Sequence, residues 1–245
     1  ATRDSREVTP GAIFCCVRGE HADGHAFAEA AVAGGAVALV VDHRLPVSCP
    51  QLVVGDVRAA TPHVAAAVWG HPAESLASIG VTGTNGKTTV VALCAQLLRR
   101  AGRDCEVVGT LTGARTTPES TDLQRTLRDA VDRGVDAVAM EVSSHALALG
   151  RVDGLTVDVA VFTNLGTDHL DFHGTPERYF EAKSRLFDPT RCRSAIVNVD
   201  DVHGRLLFDA ALVPTTGVSI EGLADLEVGG AGSRFRWRDH EVTLP

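Results

Sequence analysis

The sequence predicts an α/β protein: a mainly parallel sheet with helices on both faces, preceded by a smaller α/β unit. Three observations carry this. From residue 76 onward, short apolar runs alternate with helix-length segments, the rhythm of strands joined by helical crossovers. A glycine-rich turn at residues 80–89 joins one apolar run to an amphipathic stretch. Alanine, valine and glycine dominate while aromatics make up only 4%, which favours small-residue packing of helices on a sheet over an aromatic-rich sandwich.

In order along the chain, residues 12–17 read as a short apolar strand and 27–34 as an alanine-rich helix stopped by Gly34-Gly35. Residues 36–41 read as a buried strand. A strand at 52–54 and a helix over 61–69 follow, the helix opened by Thr61-Pro62 because proline suits a first helical turn. The turn-rich stretch 70–75 is the linker, dividing the chain into domains at 1–72 and 73–245. Next come strand 76–81, helix 87–100 with Gly102 beyond its end, strand 106–108, helix 122–133 and strand 137–142. Strand 157–163, helix 176–187, strand 195–199 and helix 202–211 complete the pattern. Ligands of such a sheet gather at the carboxyl ends of its strands. After Thr215 the pattern weakens into short β-like pieces without a closing element, and no internal repeat is visible.

At 245 residues the chain has room for one large or two ordinary domains, and 44% hydrophobic with 22% charged residues is a soluble globular composition. A formal charge of −8 without a basic run argues against a nucleic-acid partner. The six cysteines show no metal-like spacing and read as reduced thiols, as in the cytoplasm. The longest aliphatic run, 36–41, is too short to span a bilayer. No signal peptide is visible, and the chain opens abruptly, as if within a domain.

Chemistry concentrates in Gly80-Val81-Thr82-Gly83-Thr84-Asn85-Gly86-Lys87-Thr88-Thr89. Such a turn lets backbone N–H groups surround phosphate oxygens, and the helix N-terminus adds positive potential. Lys87 would reach the β- and γ-phosphates and the Thr88 hydroxyl would hold magnesium. Strict P-loop spacing asks for glycine where Val81 stands, so the motif is a variant, and an ordinary glycine-rich turn is the alternative. Glu141 ends an apolar strand where phosphates would lie and can bind magnesium directly or through water; in isolation it would be a solvated strand-end acid. His169 follows a strand and sits between Asp168 and Asp171. His145 and His173 read as structural residues. Lys183 shares a helix with Glu181 and Arg185, and on spacing alone is a surface lysine.

The variant Gly83-Thr84-Asn85-Gly86-Lys87-Thr88-Thr89 resembles the Mur ligase family and its folate-polyglutamating relatives. Further segments narrow the resemblance to the MurE group. Asp4-Ser5-Arg6, Gly11-Ala12-Ile13-Phe14 and Gly19-Glu20-His21-Ala22-Asp23-Gly24 are similar to its UDP-binding amino-terminal domain. Thr116-Thr117-Pro118, Met140-Glu141-Val142-Ser143-Ser144-His145, Thr163-Asn164-Leu165, Asp168-His169-Leu170-Asp171 and Tyr179-Phe180-Glu181-Ala182-Lys183 are similar to its central ATP-binding domain. The resemblance implies ATP bound by Gly83 to Thr89 and two magnesium ions held by Thr88, Glu141, His169 and Lys183. It further implies that carbon dioxide carbamylates Lys183, turning a cation into an anion, which requires a depressed lysine pKa. Thr116, Thr117, Ser143 and Arg151 match positions that contact the muramoyl peptide, and Ser5, His21 and Ala22 match nucleotide-diphosphate contacts. Against these stand ordinary readings: a turn, a strand-end cap and a solvated arginine.

Two departures from the family pattern stand out. Gly166-Thr167 replaces the usual Ser-Arg, removing a fixed cation beside the metal site. The end of the central domain and the family's third domain are not in the sequence, so the chain alone is expected to be inactive. The implied activity is ATP-dependent addition of the third amino acid to UDP-N-acetylmuramoyl-L-alanyl-D-glutamate through an acyl phosphate, in peptidoglycan synthesis. Lys87, Glu141, His169 and Lys183 would carry the catalysis. The expected partners are UDP-MurNAc-dipeptide and a free amino acid, without membrane insertion, in a cytoplasmic monomer. The alternatives are another Mur-type or folylpolyglutamate-type ligase, a generic P-loop phosphotransferase, and a non-catalytic nucleotide-sugar-binding module.

Overall fold

Three sheets organise the chain, in a computed structural model that describes residues 1–19, 22–230, 232–237 and 240–244. His21 lies outside the described residues. The first sheet is parallel, with β1 (Ile13–Cys15), β2 (Ala38–Val41) and β3 (Gln51–Val53) in that order. Its two faces are covered by α1 (Ala28–Ala33) and α2 (Val57–Val68). Phe14, Leu39 and Val41 pack with Ala28 and Ala31 on one face, while Cys15, Val17, Val40 and Val57 pack on the other. Alternation along each strand produces this division.

The second sheet holds β4 (Ala77–Thr82), β5 (Cys105–Val108), β6 (Ala137–Glu141), β7 (Val157–Phe162), β8 (Cys192–Asn198) and β9 (Thr215–Val218). All pairs are parallel, in the order β5-β6-β4-β7-β8-β9. This confirms the α/β class and its mainly parallel sheet. Strand β6 is buried along its whole length, as expected for a strand covered on both faces. Val138 and Met140 meet Leu123 and Leu127 of α4 (Ser120–Asp132), whose i,i+4 spacing sets them on one stripe. Ala137 and Ala139 point the other way, toward Val91 and Ala95 of α3 (Lys87–Arg100). Successive strands are added on one side of β4 up to β6 and on the other from β7, so the carboxyl ends of β4, β6 and β7 form a switch-point crevice.

Local chemistry moved several boundaries. Helix α2 begins at Val57, not Thr61, because the Asp56 carboxylate caps it by accepting from the Ala59 N–H at 3.1 Å. Pro62 therefore lies inside the helix, where it forfeits the bond to the carbonyl one turn back. The helix expected over 27–34 starts as a 3-10 turn, Gly24–Phe27, before α1. The helix expected over 176–187 divides into α7 (Pro176–Ser184), with Thr175 capping and Pro176 at its first position, and a 3-10 turn, Arg185–Phe187. Two short helices escaped the periodicity: α5 (Ser144–Ala148) and α6 (Leu170–His173). After α8 (Val202–Asp209) the weak β-like pieces resolve into β9 and an antiparallel sheet of β10 (Leu223–Gly229), β11 (Gly232–Trp237) and β12 (His240–Leu244). Among the described residues no helix is long and apolar enough to cross a membrane.

Candidate active site

The glycine-rich turn leaves β4 and is fastened to the segment that follows β7. Thr84 N–H donates to the Asn164 carbonyl at 2.8 Å and Asn85 N–H to Asn164 Oδ1 at 3.0 Å. The Thr163 hydroxyl donates to the Asn85 carbonyl at 2.7 Å. Gly83, at φ 149°, runs so close to β7 that a Cβ there would collide with Thr163 Oγ1. Gly86, at φ 84°, takes the left-handed conformation immediately before α3. The first-turn N–H groups of α3 have no partner within the helix and face the crevice end of the sheet. Thr88 is half-buried on that turn and Thr89 is exposed.

Two lysines converge on one carbonyl. Lys87 Nζ donates to the Gly83 and Thr84 carbonyls, each at 2.9 Å, and Lys183 Nζ donates to the same Gly83 carbonyl at 2.8 Å. Lys183 is no surface residue: it is 1% exposed, and its amine lies 4.3 Å over the Tyr179 ring. Burial, and then the nearby Lys87 charge, pushes its pKa down to about 7, against the pull of Asp168. Burial also lowers the Lys87 pKa, opposed by Glu141 and Asp168. A signal for this was available, because Tyr179, Ala182 and Lys183, all buried, share one stripe of α7.

Glu141 ends β6 and is 2% exposed, so it is not a solvated strand-end acid. Its Oε1 accepts from the Thr110 N–H at 2.8 Å, and a Cβ at Gly109 would strike the carboxylate. His169, half-exposed at φ 53°, precedes α6, with Nε2 3.4 Å from Asp168 Oδ2. Its ring lies 4.7 Å from His145 and 6.2 Å from Tyr179. His173 lies 5.1 Å from Tyr179 and its Nε2 is 3.0 Å from Ser144 Oγ. Burial holds both His145 and His173 below the ordinary histidine pKa, so they face the site as neutral rings. Tyr179, whose hydroxyl lies 3.2 Å from Thr84 Oγ1, and Asn164 fall in segments that carry the family resemblance, but sequence alone assigns neither a role in the site.

The expected substrate contacts form a second group. The Thr117 hydroxyl donates to the Glu141 carbonyl at 2.9 Å and accepts from the Ser143 N–H at 3.0 Å. Ser143 Oγ caps α5 by accepting from Ala146 N–H at 3.2 Å, and Thr116 Oγ1 lies 3.1 Å from Thr110 Oγ1. Arg151 is not a solvated arginine: it pairs with Glu119 at 3.0 Å, and its buried Nε has no partner among the described residues. Glu119 also binds Arg115, and Arg3 from the first unit at 2.6 Å. Around them, Arg3, Asp4 and Arg6 face residues 113–115 and 118–119 across a cavity of about 530 Å³, beside the 3-10 turn that Ser5 opens. Ala22 is exposed and does not line this cavity.

The residues fit a nucleotide and a divalent cation, because Gly83 and Gly109 pack too closely against Thr163 and Glu141 to admit a side chain of their own, and the buried Glu141 carboxylate ends β6 beside the turn. Among the described residues, the one His/Asp cluster with metal-ligand spacing is elsewhere, at His25, Asp42 and His43. There Arg18 already pairs with Asp42 at 3.0 Å. Gly166 N–H donates to Thr84 Oγ1 at 2.8 Å, and a Cβ at Gly166 would meet only ordinary contact at 3.5 Å. The glycine is therefore not a steric requirement of the turn.

Residues 81–239 match the family profile described as Mur ligase middle domain, and residues 2–84 that described as Mur ligase family, catalytic domain. A UDP-N-acetylmuramoyl-L-alanyl-D-glutamate–2,6-diaminopimelate ligase of Geobacillus thermodenitrificans is 50% identical over 239 residues, 91% of this chain and 49% of that protein. Its namesake in Streptomyces coelicolor is 43% identical over 257 residues, 99% of this chain and 49% of that protein. The chain thus spans about half the length of the curated relatives it matches. A solved structure bearing the same ligase name superposes with a TM-score of 0.85 at 32% identity, covering 100% of this chain and 54% of that one. A MurF ligase from Thermotoga maritima in complex with ADP shares the fold, with a TM-score of 0.71 at 24% identity.

Proposed function

Because the chain belongs to the Mur ligase family, we propose that it is the precursor- and ATP-binding part of a ligase that adds the third amino acid to UDP-N-acetylmuramoyl-L-alanyl-D-glutamate. The relatives' names favour 2,6-diaminopimelate as that amino acid. Residues 1–72 would hold the UDP end of the precursor and residues 73–245 the ATP. A precursor linked to UDP favours the cytoplasm as the site of the reaction. The observation that carries the reading is the pair of lysines, Lys87 and buried Lys183, on the Gly83 carbonyl beside buried Glu141.

The reaction has two steps. The terminal carboxylate of the precursor attacks the γ-phosphorus of ATP, ADP leaves, and an acyl phosphate forms. The amine of the incoming amino acid then attacks the acyl carbon, phosphate leaves, and the amine gives up a proton. In the first step Lys87 swings from its two carbonyls onto the transferring phosphoryl group and neutralises developing charge. Backbone N–H groups of Gly83 to Thr89 orient the phosphates, and Arg151, Thr116, Thr117 and Ser143 hold the carboxylate in line. Thr88, Glu141, His169 and carbamylated Lys183 would hold two magnesium ions. Bound magnesium would supply Lewis-acid stabilisation of the phosphoryl oxygens. Lys183 suits carbamylation because a pKa lowered to about 7 leaves a substantial fraction of its amine neutral near neutrality, and an anion there relieves its repulsion with Lys87.

The test is phosphate release and amide formation by a protein of the relatives' full length that carries this chain, supplied with ATP, magnesium, UDP-MurNAc-dipeptide and 2,6-diaminopimelate or lysine. Release that depends on the dipeptide and on one amino acid is expected. Nucleotide turnover indifferent to the dipeptide would indicate a generic phosphotransferase, and binding without turnover a nucleotide-sugar module.

A further inference from the structure

A cavity of about 640 Å³ opens at the amino-terminal ends of β4, β6 and β7, on the opposite side of the sheet from the glycine-rich turn. It is walled by α4, by the 3-10 turn Pro72–Ser75 and by the residues that start those strands. Gln124 of α4 is 1% exposed, and its Oε1 has no hydrogen-bond partner among the described residues. Asp136, just before β6, likewise has a buried Oδ1 without a partner, while its Oδ2 lies 3.6 Å from Arg103. Asp158 accepts from Ser78 N–H at 2.8 Å with one oxygen and faces Arg193 at 3.4 Å with the other.

Buried acceptors in folded proteins are normally satisfied, so two orphans on one cavity call for a ligand that donates hydrogen bonds. The wall's charges point the same way. Glu74, Asp136 and Asp158 outnumber Arg103 and Arg193 by one negative charge. The volume suits a molecule of amino-acid to dipeptide size. We propose that this cavity binds a small organic cation of the basic amino-acid class. Its ammonium or guanidinium group donates to Gln124 Oε1 and Asp136 Oδ1, and its carboxylate meets Arg103 or Arg193 at the rim. The site is separate from the phosphate-binding crevice, since the whole length of β4 lies between them.

Calorimetry with L-arginine, at low salt, tests this on the chain, with L-norvaline as an amino acid lacking the cation. Saturable L-arginine binding is expected, with no binding of L-norvaline. Asp136→Asn and Gln124→Leu should each weaken it about tenfold or more, whereas Lys87→Ala should leave it unchanged. Should Gln124→Leu fail to fold, Asp136→Asn decides alone, because that side chain is half-exposed and the exchange preserves its shape. Three results would overturn the proposal: no saturable heat with L-arginine up to about 10 mM, equal binding of L-norvaline, or binding that survives Asp136→Asn.

Discussion

Lys183→Met exchanges a buried ammonium group for a thioether of similar length, at a position where the amine lies against Gly83 and over Tyr179. The fall of the Lys183 pKa from 10.5 to about 7 corresponds to about 5 kcal/mol of disfavour for the charged form in the folded state. Methionine removes that penalty and also the amine's hydrogen bond and ring contact, each worth about 1–2 kcal/mol. The Gly83 carbonyl keeps Lys87 as a donor, so no acceptor is orphaned. A net gain of about 1–3 kcal/mol in unfolding free energy near neutral pH is expected, alongside loss of phosphoryl transfer. The pH dependence follows from the direction of the shift. Between about 7 and 10.5 the unfolded chain holds a proton on Lys183 that the folded chain has lost. Wild-type stability therefore rises with pH across that window, by at most about 1.4 kcal/mol per pH unit from this group. The methionine advantage should shrink in step. Urea unfolding in carbon dioxide-free buffer, at about pH 6.5, 8 and 9.5, measures both quantities. A less stable variant at the lowest pH, or an advantage that does not fall as pH rises, would refute the reasoning.

Lys183→Ala, in a protein of the relatives' full length, should be nearly inactive and partly restored by short carboxylic acids; restoration by small amines instead would show that the group acts as a cation. Gly83→Ala should abolish ADP binding and destabilise the fold by more than about 2 kcal/mol, since its Cβ collides with Thr163 Oγ1. A melting temperature and an ADP affinity like those of the wild type would contradict that packing. Lys87→Ala should stop acyl-phosphate formation while leaving UDP-MurNAc-dipeptide affinity within about threefold, because Lys87 belongs neither to the proposed UDP contacts of the first unit nor to the Thr116, Thr117, Ser143 and Arg151 group. Calorimetry showing a parallel loss of precursor affinity would sink the separation.

What the sequence made legible was local. The glycine-rich turn could be placed because its strand, its glycines and its helix are contiguous, and the parallel sheet followed from alternation that Leu123, Leu127, Val138 and Met140 obey. Burial of Lys183 was not legible from charge, since it depends on how α7 rolls against a turn a hundred residues earlier in the chain. The start of α2 was misplaced because Pro62 is a strong local signal, yet Asp56 caps the helix upstream. His145 looked structural because its proximity to His169 and His173 arises only once α5 packs beside α6, and neither short helix is periodic enough to announce itself. The Glu119 cluster joins Arg3, Arg115 and Arg151, two of them distant in the chain, and has no sequence signature.

The strand order has a consequence for biosynthesis. Strand β4 is made first of its sheet but ends in the middle, between β6 and β7. On a ribosome one edge stays without a partner until β6 emerges and the other until β7 does, and the glycine-rich turn lacks its fastenings until Asn164 follows. An unpaired strand is a template for wrong pairing. Ala77–Thr82 contains Gly80 and few bulky apolar side chains, a composition that makes the waiting strand weakly adhesive. The phosphate-binding turn is therefore a late product of folding, and nascent chains halted before Thr163 should be unable to retain ADP, whereas chains halted well beyond Asn198 should retain it.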